Sequence, residues 1–262
     1  MGETTVLLHT CCAPCSSAII EAMLHSGITP VIYYCNPNIY PQQEYEIRKE
    51  ECTRYARSLG LEIVDADYDH DNWLAAMKGL ETEPERGGRC LKCFKMRLFR
   101  TAEYARQRGI KVITTTLASS RWKSLDQINE AGQWACDAVR LGVENEVPPV
   151  NSVQVENEVP PVNSVGRISA VLSASARCSM NIDAAAAPVV ASSDDGMPQG
   201  AVGFSRLGVE NEVPPVNSVH WWNQNWRKGG LQERRLEIIR QYDFYNQQYC
   251  GCEFSMRKPK ED

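Results

Sequence analysis

The chain has 262 residues, of which 43% are hydrophobic, so it has room for one sizeable core and a small second unit. No apolar run approaches the roughly 20 residues of a membrane helix, and the run at 5–8 is too short, and too far from basic residues, for a signal peptide. We therefore expect a cytoplasmic protein with no membrane partner. The formal net charge of −5 neither requires nor excludes a nucleic acid, because a local basic patch matters more than the total.

Strand and helix patterns alternate from the start of the chain. The predicted strands are 5–8, 30–34, 62–64 and 111–115, and the predicted helices are 16–25, 42–59, 71–78 and 91–108. This order predicts an α/β fold with a parallel sheet and helices on both faces. Ligands of such sheets bind at the carboxyl ends of strands, near a topological switch point.

A repeat interrupts this pattern. The segment RLGVENEVPPVNSV at 140–153 recurs without change at 206–219, with a partial copy at 155–165. Packed repeats let their polar residues vary, whereas these copies keep them, and each carries a Pro-Pro pair that disfavours helix and central strand. We therefore expect a catalytic core at 1–139, a disordered insertion at 140–219, and the rest of the core at 220–262.

Eleven cysteines are an excess for a chain kept under reducing conditions, which favours metal ligands or reactive thiols over structural disulfides. Seven of them form three groups, Cys11-Cys12 with Cys15, Cys90-x-x-Cys93, and Cys250-Gly251-Cys252, and the other four stand alone. The first group follows the first strand, where the ligand crevice of the sheet is expected, and 36–40 and 116–120 should line the same crevice. Four such thiolates suit zinc or an iron-sulfur cluster; the adjacent pair and the crevice favour the cluster.

The Cys250-Gly251-Cys252 group is too tight for a relaxed disulfide, and a strained disulfide is easily reduced. A redox pair is one interpretation. The alternatives are a pair of metal ligands or two buried thiols.

Six motifs in chain order resemble the epoxyqueuosine reductase QueH family. They are HTCCAPC (9–15), YYCNPNIYPQQEYEIR (33–48), RCLKC (89–93), TTTLASSRWK (114–123), NWRKGG (225–230) and QQYCGCEFS (247–255). The resemblance covers the chain except for the insertion. It implies a fold similar to the nucleotide α-hydrolase or PP-loop (HUP-like) type, a [4Fe-4S] cluster on Cys11, Cys12, Cys90 and Cys93, and a redox-active disulfide between Cys250 and Cys252.

The resemblance also implies the last step of queuosine biosynthesis, a two-electron reduction of epoxyqueuosine to queuosine and water at the wobble position of tRNA. The partners would be that tRNA and an electron donor of unknown identity. A second metal ion is a further candidate cofactor, and Cys15 is a candidate extra metal ligand. Tyr34, His9 and a thiol stay open as proton donors. CCAPCSS replaces the glycine-rich phosphate loop of PP-loop enzymes, so we expect no ATP chemistry.

Two other functions fit part of the pattern. A cluster-dependent tRNA thiolase would share the sheet and the cysteines, but it needs ATP. A zinc-stabilised RNA-binding module would be colourless, whereas a protein that carries a cluster is brown.

Overall fold

The computed structural model describes residues 4–66, 68–143, 218–245, 247 and 249–256, in which five strands alternate with six α-helices. No helix in these ranges is long and apolar enough to cross a membrane. The strands are β1 (Thr4–His9), β2 (Ile28–Tyr34), β3 (Ile63–Asp65), β4 (Val112–Thr115) and β5 (His220–Trp221). The helices are α1 (Ala13–His25), α2 (Gln42–Ser58), α3 (His70–Met77), α4 (Gly88–Arg108), α5 (Leu125–Arg140) and α6 (Leu231–Tyr242).

The sheet is parallel throughout, in the order β3-β2-β1-β4-β5, which confirms the predicted α/β class. Helices α1, α2 and α6 pack together in one layer, and α3, α4 and α5 pack together in another. The chain moves outward from β1 to β3 and then returns to the other side of β1 as β4. The topological switch point therefore lies between β1 and β4, where the loops after these strands leave toward opposite faces.

The central strand shows why the sheet forms. Val6, Leu7 and Leu8 are fully buried, as expected for an apolar run covered by helices on both faces. The four predicted helices are present as α1 to α4. Helix α4 is followed by Gly109, whose φ of 69° is the left-handed conformation that glycine accepts at a helix end.

Two helices begin three residues earlier than predicted. Helix α1 starts at Ala13, because Pro14 is tolerated within the first turn, and α4 starts at Gly88. As a result Cys12 is the N-cap of α1, and Cys90 and Cys93 both lie in the first turns of α4.

Most of the predicted insertion falls outside the described residues, and its status stays a prediction. Its described ends belong to the folded unit, since Arg140 is the last residue of α5 and Val219 is buried. Strand β5 follows directly and pairs with β4 through Val112 and Ile113. The segments on the two sides of the interruption therefore join one sheet.

The contact between α5 and β5 depends on a glycine. A Cβ built on Gly132 would lie 2.2–2.4 Å from three ring atoms of Trp221, far inside contact distance. The Trp221 indole also donates to Asn129 Oδ1 at 3.3 Å, which fixes the ring over this position of the helix. Only a residue without a side chain fits beneath it.

We predict that Gly132→Ala lowers the thermal unfolding temperature. Forcing a methyl group against the indole costs up to about 3 kcal/mol, which exceeds the gain of about 1 kcal/mol that alanine brings to a helix. Gly88→Ala is the matched control, because the Cβ built there has no neighbour closer than 3.7 Å. Equal unfolding temperatures for the two variants would contradict this close packing.

Candidate metal and redox centre

His9, the last residue of β1, joins the carboxyl ends of three strands. Its buried imidazole makes hydrogen bonds with Thr115 Oγ1 of β4 (2.7 Å) and with the carbonyl of Cys35, directly after β2 (3.0 Å). Burial, followed by the nearby Arg97 cation, lowers the pKa of His9 to about 3, so the ring is neutral near pH 7. The imidazole thus fixes the edge on which the first cysteines lie.

Cys11, Cys12 and Cys15 form a tight group at this edge. Their sulfur atoms all lie within 4.8 Å of one another, and the Sγ atoms of Cys11 and Cys12 are 3.8 Å apart. Thr116, after β4, contacts Cys11 through its hydroxyl, which accepts from the Cys11 amide at 3.3 Å and lies 3.6 Å from its sulfur. The loops after β1 and β4 therefore meet at the edge where the sequence predicts a ligand crevice.

The three thiols differ in proton affinity. Hydrogen bonds from Cys12 and Cys15 hold the pKa of Cys11 well below its usual range. Burial raises the pKa of Cys12 well above that range, and the hydrogen bond to Cys11 raises that of Cys15 to about 12. Without a bound cation, the group therefore carries its negative charge mainly on Cys11.

Cys90 and Cys93 lie one turn apart on α4. The Trp73 indole, fully buried, donates to Cys93 Sγ at 3.4 Å, and the Arg86 amide donates to Cys90 Sγ at the same distance. Each sulfur thus accepts a hydrogen bond from a nitrogen, as metal-bound sulfurs commonly do. Burial raises the pKa of Cys90 above its usual range, and the hydrogen bond from the Arg86 amide offsets only part of that effect.

The carboxyl-terminal dithiol docks beside α4. Cys252 packs in a cluster with Cys93 and Trp73, and it pairs with Ile39 through an isolated antiparallel bridge. The intervening Gly251 has φ 95°, and a Cβ there would lie 2.9 Å from Ile39 Cγ1 and 3.0 Å from Arg48 Nη1. The Cys250-Gly251-Cys252 segment therefore packs against Ile39 and Arg48 because Gly251 has no side chain.

Two cations lie among the sulfur groups. The buried Arg97 guanidinium donates to the Cys35 carbonyl at 3.1 Å and to Asn36 Oδ1, and in the described part of the chain no carboxylate forms an ion pair with it. Lys123 interacts electrostatically with Cys250, Cys11 and Cys93; burial lowers its pKa, but these sulfurs raise it more, so the net shift is upward. Lys123 is thus the common neighbour of all three cysteine groups.

The donor set fits the metal group that the sequence implies. Three sulfurs within 4.8 Å of one another, with two further sulfurs one helical turn apart, are soft ligands suited to iron-sulfur or zinc sites. The Arg97 and Lys123 cations would balance the negative charge of thiolates around a metal. The tight group contains Cys15 but neither Cys90 nor Cys93, so which sulfurs bind metal stays a prediction.

The three candidate proton donors differ in their surroundings. His9 is neutral, with both ring nitrogens in hydrogen bonds. Tyr34 is fully buried and donates to the Tyr45 carbonyl at 3.2 Å, and burial raises its pKa well above the usual range. Neither side chain is exposed toward a substrate, which leaves the thiols among the three candidates.

Sequence patterns do not identify three residues of this centre. Arg97 lies four residues after Cys93 and so on the same face of α4, a spacing that could have indicated it. Trp73 and Arg48 carry no such signal, because only the tertiary fold brings them to Cys93 and to Gly251.

The family model and the curated relatives that match this sequence carry the same family name. A sequence model described as "Epoxyqueuosine reductase QueH" matches residues 6–146 and 208–258, leaving out a stretch inside the predicted insertion. Curated proteins of the same name are similar to this chain. They include those of Haemophilus influenzae (36% identity, 98% of this chain and 73% of the relative), Acinetobacter baylyi (34%, 96% and 80%) and Thermotoga maritima (35%, 98% and 93%).

We predict that Cys250 is the most readily alkylated thiol of the metal-free, reduced protein. The hydrogen bond from Cys252 lowers its pKa; burial opposes this, and Lys123 adds to the lowering. Between pH 9 and 7 its rate with iodoacetamide should fall much less than the roughly tenfold per unit of an ordinary thiol below its pKa. Mass spectrometry of the modified peptides measures this, with Cys136 as the control because burial raises its pKa to about 12.

Lys123→Met should raise the pKa of Cys250 and make its alkylation more dependent on pH. An unchanged profile in this variant, or equal rates for Cys250 and Cys136, would contradict the electrostatic assignment.

Proposed function

The chain belongs to the epoxyqueuosine reductase QueH family, and on that premise we propose that its three cysteine groups together reduce epoxyqueuosine to queuosine in tRNA. The observation that carries the proposal is the packing of Cys252 in one cluster with Cys93, beside the Lys123 ammonium, whose charge acts on Cys250, Cys11 and Cys93. A metal-ligand group and a redox dithiol around one cation form a single reaction centre, because separate structural sites would have no reason to converge.

We assign Cys11, Cys12, Cys90 and Cys93 as ligands of a [4Fe-4S] cluster. When bound, that group supplies single electrons and a Lewis acid for oxygen. Cys15 is left as a ligand for a second metal ion, since its sulfur lies in the same group. The chain's own part is to orient these sulfurs: His9 fixes the strand ends, and the Trp73 N–H holds Cys93.

The Cys250/Cys252 pair accounts for both electrons and one of the two protons. Oxidation of the Cys250 thiolate and the Cys252 thiol to a disulfide releases two electrons and one proton, and these, with a second proton from solvent water, convert the epoxide into a carbon–carbon double bond and water. The two sulfurs are already hydrogen-bonded to each other, as a pair that shares electrons requires. An electron donor of unknown identity then restores the dithiol, which requires the reducing conditions of the cytoplasm, our proposed location.

A proton for the departing oxygen can come from groups that face the centre. Cys252 keeps its proton near neutral pH, because the hydrogen bond to Cys250 and burial raise its pKa above the usual range. The Lys123 ammonium stabilises the Cys250 thiolate. We propose Cys252 Sγ as the proton donor and Lys123 as a positioning residue.

Neither alternative function gains support from the site. In a PP-loop thiolase the start of the first helix cradles phosphate with glycines, whereas here Cys12 caps α1 and Pro14 follows in the first turn. A zinc-stabilised RNA-binding module would not need a dithiol beside the metal ligands.

The activity is tested by nucleoside mass spectrometry of tRNA from cells in which this gene is the sole source of the reductase. We predict queuosine with the wild-type gene and accumulated epoxyqueuosine with Cys250→Ser or Cys252→Ser, since a dithiol stores electrons only as a pair. Cys136→Ser is the matched control, because this buried cysteine lies on α5. Epoxyqueuosine in wild-type cells would refute the function, and queuosine in both dithiol variants would refute the relay.

The ligand assignment is tested by iron and sulfide content after anaerobic purification. Removing one of four thiolate ligands leaves an iron without its protein ligand, so Cys11→Ala, Cys12→Ala, Cys90→Ala and Cys93→Ala should each lose most of the iron. Cys136→Ala and Cys250→Ser should retain it. If Cys15→Ala loses as much iron as Cys11→Ala while Cys90→Ala loses none, the cluster ligands are those of the tight group.

A further inference from the structure

The side chain of Trp122 is exposed to solvent at the edge of the cysteine centre. The loop after β4 carries Trp122, whose exposed fraction is 64%, whereas Trp73, Trp222 and Trp226 are buried. A single exposed hydrophobic side chain is common on protein surfaces; Trp122 differs in the way its loop is held and in the charges around its ring.

The loop that presents Trp122 is braced from two sides. Arg86 donates to the carbonyls of Arg121 and Trp122, both at 2.9 Å. From the other side, Arg227 donates to the carbonyls of Ala118 (3.1 Å) and Lys123 (2.8 Å). The indole is therefore carried on a fixed backbone, which lowers the entropy lost when a partner stacks on it.

Arg86 links this loop to the cysteines. It has φ 67°, a left-handed conformation that is unfavourable for a residue with a side chain. In that conformation its amide donates to Cys90 Sγ while its guanidinium holds the Trp122 loop. Such strain is characteristic of functional sites, and here it ties the exposed indole to the rim of the metal site.

The side chains along the loop divide between the centre and the solvent. Lys123 interacts with Cys250 and Cys11 and is half-buried, whereas its neighbour Trp122 is exposed. A partner that stacks on the Trp122 ring is therefore one residue away from Lys123, whose charge acts on the sulfurs.

The surroundings of the indole are cationic. The Arg121 guanidinium lies 4.8 Å from the centre of the Trp122 ring. Burial, and after it the positive charge of Arg86, lower the pKa of Arg227, so these two guanidinium groups lie near each other. Among the described residues, no carboxylate forms an ion pair with any of these three arginines. An unneutralised basic rim around an exposed aromatic ring is complementary to a nucleic acid strand.

Resting on the function proposed above, we propose that Trp122 is the stacking platform for an anticodon-loop nucleobase beside the modified nucleotide, with Arg121 on an adjacent phosphate. Sequence-specific RNA recognition uses bases splayed out of the loop and stacked on aromatic rings. A modified base that enters the cysteine centre must leave its stack. When the modified base leaves the stack, the neighbouring base loses its stacking partner, and the Trp122 ring takes that place.

The test uses the full-length protein and a synthetic anticodon stem-loop RNA in fluorescence anisotropy titrations. Loss of one stacked base weakens binding by about tenfold, so we expect that effect for Trp122→Ala. Trp122→Phe keeps a ring and should bind within about threefold of the wild type. Leu141→Ala is the matched control: its side chain is similarly exposed, at 68%, but it follows the end of α5 and should not change the affinity.

The dependence of affinity on salt separates stacking from phosphate contact. Trp122→Ala should leave the slope of log affinity against log salt unchanged, whereas Arg121→Gln should reduce its magnitude by about 0.7. Equal affinities of wild type and Trp122→Ala, or equal losses in the alanine and phenylalanine variants, would overturn the platform.

The same titrations keep this inference distinct from the function. If wild type binds the RNA and forms queuosine while Trp122→Ala binds equally well, only the platform fails. If wild type forms no queuosine in cells, the function itself fails.

Discussion

The imidazole of His9 is the constraint on which the centre depends, since it connects three strand ends through two hydrogen bonds. Parallel strands are otherwise independent beyond their last ladder bond, and the loops that follow them can diverge. With His9 between Thr115 and the Cys35 carbonyl, the starting points of three loops are fixed relative to one another. Because the ring is neutral across the physiological pH range, this connection does not loosen as pH changes.

The second requirement is charge compensation. Burying several thiols together favours their neutral forms, while metal binding and redox chemistry both need thiolates. Arg97 and Lys123 reconcile the two demands, because each interacts with Cys11 while its own charge lacks a carboxylate partner in the described residues. The cations are thus matched to the sulfurs, and a cysteine lost from this centre leaves a cation uncompensated as well.

Sequence patterns predicted the sheet well because a parallel strand covered on both faces is a short apolar run, as in β1 and β4. The cysteine groups were predicted because their spacing is local. The starts of α1 and α4 were misplaced, since proline and glycine there are compatible with a first turn as well as with a loop. Strand β5 is too short to show a period, and Trp73 reaches Cys93 only through tertiary packing.

The direction of α5 gives the molecule two functionally different edges. Its N-cap, Ser124, follows the loop after β4 at the edge that carries the sulfurs, and the helix then runs back toward the edge where β5 begins parallel to β4. Val143, which is exposed just beyond α5, therefore lies at the edge of the sheet opposite the three cysteine groups. A dye attached there could report on association in single-molecule experiments without occupying the edge that carries the sulfurs.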